Sequence, residues 1–544
     1  MRIAVGGGPG DGGVLRPVAD DGSPLGPPEP VADLAGAIAA REHTSGAEVV
    51  RWVWAATGRL YPRLLRAGVR VGRCHDLELT EAVLLGHAGR FGEPRSLRAA
   101  LARLEGRPVP DDQAAREGPP TLFDDGPADD VDTVVAVHAD QSRRVGETGL
   151  RLLVAAESAG GLVAAEMGHD GLPWRGEVHD ALLTELMGPR PATGLRPRRL
   201  QELADAIGEA LGRRVNPDSP AQVVKAFGTV GVTISSTRSR VLREVEHPAA
   251  GLLLEYKELA RLYVAHGWSW MDSWVRDGRF RPEYVVGGVV SGRWATSGGG
   301  ALQIPKVLRR AVVADPGWRL VVADAAQLEP RVLAALAGDR ALALAAGESD
   351  LYDALAGVFG GDRDKAKIAL LSAMYGGSSG DAPQLLAIMR RRFPHAYEYV
   401  ESAARAGEAG KLVRSRLGRT CPPPSQAWRD LAVQDAGRSA VRSRGRFTRN
   451  FVVQASAADW ALVLLAALRR RLTAIASGLA PEDAPRLVFF QHDEVVVHAP
   501  EELADAVATA IGESAEEARR LVFGDTPVRF PLGAAVVGCY ADAK

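Results

Sequence analysis

Apolar and polar positions fall into two regimes along the chain. Over residues 1–105 short apolar runs are separated by turn residues, the pattern of a small α/β unit. Arg2–Val5 predicts one strand and the run from Val49 to Ala56 another, with helical spacing at Leu60–Leu65 and Leu77–Leu85. Residues 106–131 are rich in Pro, Asp and Gly and predict a loop or tether. Its apolar island, Thr121-Leu122-Phe123, is open to two readings, a docking peptide or a local packing contact. A helical pattern runs from Val134 to Met167, Pro and Arg break it at 190–199, and helices alternate with loops over 200–286. His247–His266 predicts a long helix with Leu253, Leu254, Tyr256, Leu259 and Leu262 on its apolar side. No repeat of solenoid period is present.

Composition narrows the class without naming a function. The chain has 544 residues, 46% hydrophobic and 24% charged, which excludes wholesale disorder, a collagen-like chain and a coiled-coil rod. Its length predicts several domains or one large modular fold. Cys74, Cys421 and Cys539 are too far apart for a zinc finger or a disulfide scaffold and suit a reducing compartment. No apolar run approaches the roughly 20 residues of a membrane helix, and the start lacks a signal-peptide core, so a cytoplasmic protein is expected. Net charge is −1, yet residues 362–471 hold twenty Lys and Arg against nine Asp and Glu. That excess suits either a face for a polyanion or a sequence simply rich in arginine.

Three segments of the second half carry chemistry. Leu320-Val321-Val322-Ala323-Asp324 is an apolar run ending in a carboxylate, with Pro330 beyond it marking a helix start. Asp324 therefore belongs at the tip of a buried strand, a position used by metal ligands and by helix caps. Leu487–Val497 predicts a β-hairpin with His492, Asp493 and Glu494 near its turn, three ionisable groups costly between such apolar strands unless they work. Another reading of His492-Asp493 is a metal-dependent phosphohydrolase pair, which needs further His and Asp ligands that the sequence does not assign. Arg363–Tyr375 predicts a helix ending at Gly376 or Gly377, with Arg363, Lys367, Leu371 and Tyr375 in one stripe. Two cations and a ring suit a nucleotide; the alternative is a solvated basic helix end with Tyr375 in the core. Together, two distant carboxylates and a cationic helix match two-metal phosphoryl transfer, with Mg²⁺ ions roughly 3.5–4 Å apart.

On these residues the chain resembles the family A DNA polymerases, the DNA polymerase I family. DAAQLEPRVLAALAGD (324–339), RDKAKIALLSAMYG (363–376) and QHDEVVVHAP (491–500) are similar to three of its signatures. SGRWATSGGGALQIP (291–305), RNFVVQASAAD (449–459) and LLLEYKELARL (252–262) add three more, in the family's order. The resemblance covers about residues 150–544 and implies a right-hand palm, fingers and thumb. It implies a pair of Mg²⁺ ions, or Mn²⁺, held by Asp324 and Asp493, with Glu494 as the adjacent acid. It implies nucleotide contacts from Arg363, Lys367, Leu371, Tyr375, Gln327 and His492, with Glu329 crowding the sugar 2′ position. Arg293, Gln454, Asn450 and Arg446 are the implied DNA-facing groups.

The resemblance also has departures. Leu371 stands where the family has Phe or Tyr, Leu370 replaces an Asn, Tyr352 a His and Ala325 a Tyr; altered sugar choice or reduced speed is expected. The family's proofreading domain needs four carboxylates. Arg2–Val5 carries none, RWVWAATGRLYPRLL (51–65) carries none, and Asp140 matches the last Asp while Ala136 occupies the Tyr position. The expected organisation is an α/β multidomain chain. Residues 1–145 are an RNase H-like, degenerate 3′–5′ exonuclease-like domain including the tether, without a 5′ nuclease domain. Residues 146–544 are the polymerase, with the thumb at 190–286, the palm at 287–340 and 450–544, and the fingers at 341–449. The expected function is DNA-templated addition of dNTPs to a primer in repair or gap filling, by a nucleoid-associated monomer. Expected partners are primer-template DNA and dNTPs, and a sliding clamp if the island docks. A polymerase-derived DNA-binding scaffold is the rival; a single-subunit RNA polymerase is disfavoured by Glu329.

Overall fold

The computed structural model describes residues 1–543 except 9, 45–49, 113–128, 378–379 and 433–436. The island at 121–123 and most of the tether lie outside the described residues. Two compact units emerge: residues 1–169, 284–296 and 321–536 form one; residues 170–283, 297–320 and 537–544 form the other. These units cut the chain at other points than 145 and 190.

The first unit opens with five strands, β1 (Arg2–Gly7), β2 (Gly13–Val18), β3 (Glu29–Val31), β4 (Arg51–Trp54) and β5 (Arg73–Asp76), in the order β3-β2-β1-β4-β5. β1 runs antiparallel to β2 and parallel to β4, and β4 is parallel to β5. Alternate side chains serve opposite faces: Ile3, Val5, Trp52 and Trp54 are buried on one side, Ala4 and Val53 on the other. Both faces are covered, which is why β4 is nearly all apolar. Strands β2 and β5 carry no readable signal because Arg16-Pro17 and Arg73-Cys74-His75-Asp76 lack a clean alternation, and β3 because it is only the three residues Glu29-Pro30-Val31. The helical stretch expected from Val134 to Met167 is two helices, Val131–Thr148 and Arg151–Asp170, parted by Gly149 at φ +73°.

The second unit is mainly helical. Helices Arg198–Ala210, Pro220–Thr229 and Pro248–His266 pack around Leu203, Ile207, Phe227, Leu253 and Tyr256. The short strands β6 (Leu172–Pro173), β7 (Val275–Arg276) and β8 (Arg279–Phe280) form a sheet in the order β6-β8-β7. Trp270 anchors an aromatic cluster there, 5.2 Å from Trp174 and 4.9 Å from Phe280 between ring centroids. Strands β9 (Glu283–Val285) and β10 (Ala295–Gly298) pair with each other.

The sheet that matters for function has the order β12-β13-β11-β14, from β11 (Trp318–Ala325), β12 (Arg486–Gln491), β13 (Glu494–Pro500) and β14 (Leu532–Val537). A 38-residue helix, Arg438–Ile475, runs through the first unit. It is long and apolar enough to cross a membrane by length and composition, but 89% of its most apolar stretch is buried inside the protein. No apolar run of that length is expected from the sequence; burial of 451–468 almost throughout accounts for it, whereas 438–450 keep many exposed positions.

Candidate active site

The site begins where β11 stops. Val321, Val322 and Ala323 are buried, and Asp324 is the first half-buried residue after them. The chain then turns through Gln327, at φ +57°, into the helix Leu328–Ala337, whose first turn carries Pro330 and Glu329. β12 and β13 form the expected hairpin, with Gln491 opposite Glu494 and His492-Asp493 at the turn. His492 has φ +58°. The Ala325 N–H donates to the Asp493 carbonyl at 3.1 Å, so the backbone itself ties the strand end of Asp324 to the hairpin turn of Asp493. The Tyr284 hydroxyl fixes β12 from behind, donating to the Phe490 carbonyl at 2.8 Å and accepting its N–H at 3.1 Å. Trp294 packs edge-on against both rings.

Among the described residues only Asp277, Gln327 and His492 are non-glycine residues with positive φ. Two of the three flank the two aspartates. A left-handed non-glycine residue costs of order 1–3 kcal/mol, a strain that proteins retain at sites where geometry matters. Glu494 is buried. Burial, reinforced by the nearby Arg293, pushes the His492 imidazole below its ordinary value and favours its neutral form near pH 7.

The helix Arg363–Tyr375 is capped by Asp362, which accepts the N–H groups of Asp364 at 2.9 Å and Lys365 at 3.1 Å. It buries Ala366, Ala369, Leu370, Ala373 and Met374 and turns the other stripe outward: Arg363 and Lys367 are exposed, Leu371 half-buried, and Tyr375 41% exposed. The alternative that puts Tyr375 in the core is therefore overturned. The Tyr375 hydroxyl donates to Glu329, whose other oxygen is paired with Arg293. Burial first, then the Glu329 carboxylate, pushes the Tyr375 phenol up to about 12, and Gln454 bonds the same hydroxyl. Gln454 belongs to the long helix, where Arg446, Asn450 and Gln454 recur every four residues on one side. Arg446 lies over Gly376, where an added Cβ would stand 3.1 Å from its Cγ. The Asn450 Oδ1 is buried without a hydrogen-bond partner among the described residues.

Two residues that pattern reading missed complete the site. Arg331 is fully buried and donates to the carbonyls of Ala326, Ala346, Glu348, Ser349 and Arg529 and to Gln327 Oε1. It locks the turn after Asp324; its only signal is an arginine on an apolar helix face. Asp350 binds Gln327 at 2.7 Å and Arg363 at 2.8 Å and looks in the sequence like an ordinary helix cap.

Among the described residues no group of three or more His, Cys, Asp or Glu side chains could hold a metal ion. That excludes a closed structural cage there, but not Mg²⁺ at Asp324 and Asp493. Mg²⁺ is commonly bound by one or two carboxylates, with waters and substrate phosphates completing its shell. Asp324 and Asp493 supply hard carboxylate oxygens of the kind Mg²⁺ takes, on strand ends that the Ala325–Asp493 backbone bond joins.

Residues 195–535 match the family model described as DNA polymerase family A. The chain is 28% identical over 354 residues to DNA polymerase I of Chloroflexus aurantiacus, covering 57% of this chain and 36% of that protein. It is 26% identical over 441 residues to the thermostable DNA polymerase I of Thermus thermophilus, covering 71% and 50%. It thus spans about a third to a half of the curated relatives it matches. The solved structure described as the POL domain of Pol1 from M. smegmatis in complex with DNA primer-template and dNTP aligns with a TM-score of 0.72 at 18% identity. That alignment covers 99% of this chain and 95% of the other, a likeness of fold. With its family model matched over more than half its length and the expected motifs in order, the chain belongs to DNA polymerase family A.

Proposed function

We propose that this protein is a DNA-templated DNA polymerase that adds dNTPs to a primer 3′ end, in repair or gap filling. The observation that carries the reading is the backbone bond between Ala325 and Asp493, which couples the two strand ends bearing Asp324 and Asp493. Those two carboxylates would hold a pair of Mg²⁺ ions, which when bound supply charge neutralisation and an activated primer hydroxyl. Lys367 and Arg363 draw the triphosphate to the exposed face of their helix. Glu329, pinned by Arg293 and Tyr375, fills the space beside the sugar and disfavours a 2′-hydroxyl. Leu371 offers that sugar an aliphatic side chain in place of a ring. Arg293, Asn450, Gln454 and Arg446 face primer-template DNA, and neutral His492 is available as a hydrogen-bonding group near the primer end.

The amino-terminal sheet is proposed to be an RNase H-like exonuclease fold that has lost its chemistry. Its strand order and mixed pairing support the fold. β1 carries no acid, and Asp140 is engaged by Arg143 at 2.7 Å and Arg144 at 3.2 Å. Three free cysteines among the described residues support a reducing, cytoplasmic setting.

Primer extension tests the proposal. Wild type should extend a primed template with Mg²⁺ and dNTPs but leave a mismatched primer end undigested. Asp324→Ala and Asp493→Ala should each lower extension at least a thousand-fold while retaining DNA binding. Robust DNA binding without extension by the wild type would favour the scaffold reading.

A further inference from the structure

Asp350 is not among the residues that the polymerase reading places on the nucleotide, yet it joins two that are, Gln327 and Arg363. It caps the helix Leu351–Ala356, its Oδ1 accepting the Asp353 N–H at 3.0 Å. The same Oδ1 accepts the Gln327 amide at 2.7 Å. Its Oδ2 takes the Arg363 guanidinium through Nε at 3.1 Å and Nη2 at 2.8 Å. The Arg363 guanidinium also lies 5.5 Å from the centroid of the Tyr352 ring, a cation–π contact. Gln327 in turn accepts the Leu351 N–H at 2.8 Å and Arg331 at 3.2 Å, and it occupies the left-handed turn three residues after Asp324. A helix cap needs one carboxylate oxygen. The second oxygen of Asp350 is committed to the cation that the polymerase reading sends to the triphosphate.

Resting on that reading, we propose that Asp350 is a positioning residue that parks Arg363 beside Tyr352 until the triphosphate of an incoming nucleotide displaces it. Partial burial pushes the Asp350 carboxyl up, but the Asp353 N–H, Arg363 and Gln327 outweigh it and hold the group down to about 2. The latch is therefore charged throughout the neutral range. The parked pair is half exposed, with side chains 47% and 38% accessible, so it is weak and reversible. A polyanionic phosphate chain offers Arg363 more charge and a bidentate partner, and so wins the competition. The pair then sets a threshold for nucleotide entry and links release of the helix Arg363–Tyr375 to the turn that follows Asp324.

Asp350→Asn separates this role from capping. Its Oδ1 can keep the Asp353 and Gln327 bonds, and Asn caps helices as well as Asp. Its Nδ2 sets a donor against the donors of Arg363. Equilibrium dNTP binding is measured on a primer-template ended by a dideoxynucleotide, alongside the KM and kcat of extension. Asp350→Asn should bind dNTP about three- to ten-fold more tightly and lower KM to match, with an unchanged thermal midpoint. In an Arg363→Ala background the same change should have no effect. Unchanged or weaker binding in Asp350→Asn overturns the proposal, as does tightening that persists without Arg363. A wild type that neither binds dNTP nor extends primers counts against the polymerase reading and takes this inference with it; an active wild type with an indifferent Asp350→Asn counts against the latch alone.

Discussion

Replacing Arg469 should unlock the amino-terminal sheet from the long helix. Arg469 lies in the helix Arg438–Ile475 and is almost wholly enclosed, its side chain 13% accessible. It donates to both oxygens of Glu166 at 2.8 Å, to the Gly72 carbonyl at 2.9 Å and to the Val71 carbonyl at 2.5 Å. Glu166, 12% accessible, also receives the Tyr61 hydroxyl at 2.5 Å. Arg469→Met strands a buried carboxylate and two carbonyls, and breaking such a pair from one side costs about 3–5 kcal/mol. Arg469→Met with Glu166→Leu removes both charges and should recover most of that loss. Amide hydrogen exchange across Arg51–Asp76 reads the opening free energy locally, without assuming that the whole chain unfolds in one step. Burial pushes the Glu166 carboxyl up, but Arg469 outweighs it and holds the group below its ordinary value. The contribution is therefore full above the unfolded carboxylate value of about 4.3 and is lost as pH falls through the lower folded value. A loss under about 1 kcal/mol in Arg469→Met, or no recovery in the double variant, would refute this reasoning.

Burial pushes the His75 imidazole down to about 4 and His138 down to about 2, the latter helped by His75 and then by Arg2 and Arg51. The unfolded chain takes up protons below about pH 6.5 that the folded chain refuses, so stability falls with pH by up to about 1.4 kcal/mol per unit for each histidine. His138→Leu should flatten the stability profile between pH 6.5 and 4.5 by about one such increment, and an unchanged slope would sink the idea. Glu329→Ala should weaken discrimination against ribonucleotides by about ten-fold or more, while Glu329→Gln, which keeps the bulk and the Tyr375 bond, should leave it nearly intact. Single-nucleotide incorporation assays with paired dNTP and rNTP decide between bulk and charge.

How much of this was legible beforehand follows from the range of the forces involved. β11, the β12–β13 hairpin and the helix Arg363–Tyr375 are set by local hydrophobic period, and Asp324 one residue before the end of β11, Asp493 in the hairpin turn and Gly376 at the helix C-cap each fall at a break in that period. The Pro248–His266 helix was legible for the same reason. Pairing across long sequence gaps was not: nothing near Ala325 announces a bond to Asp493, 168 positions on. The left-handed turns at Gln327 and His492 carry no glycine or asparagine to mark them. Arg331 and Asp350 were hidden because each resembles a commonplace, a helix arginine and a helix cap, until tertiary contacts give it several partners. Gly149 was a readable break that the continuous apolar pattern around it obscured.

The direct test of the proposed chemistry is the position of the ions. Crystals of the protein with a dideoxy-terminated primer-template and a matched dNTP, grown in Mn²⁺, locate the metals by anomalous scattering. Two peaks roughly 3.5–4 Å apart, both touching Asp324 and Asp493 and one touching the triphosphate, are expected. Ions bound elsewhere with nucleotide in place, or none at these two carboxylates, would contradict a two-metal polymerase centre in this protein.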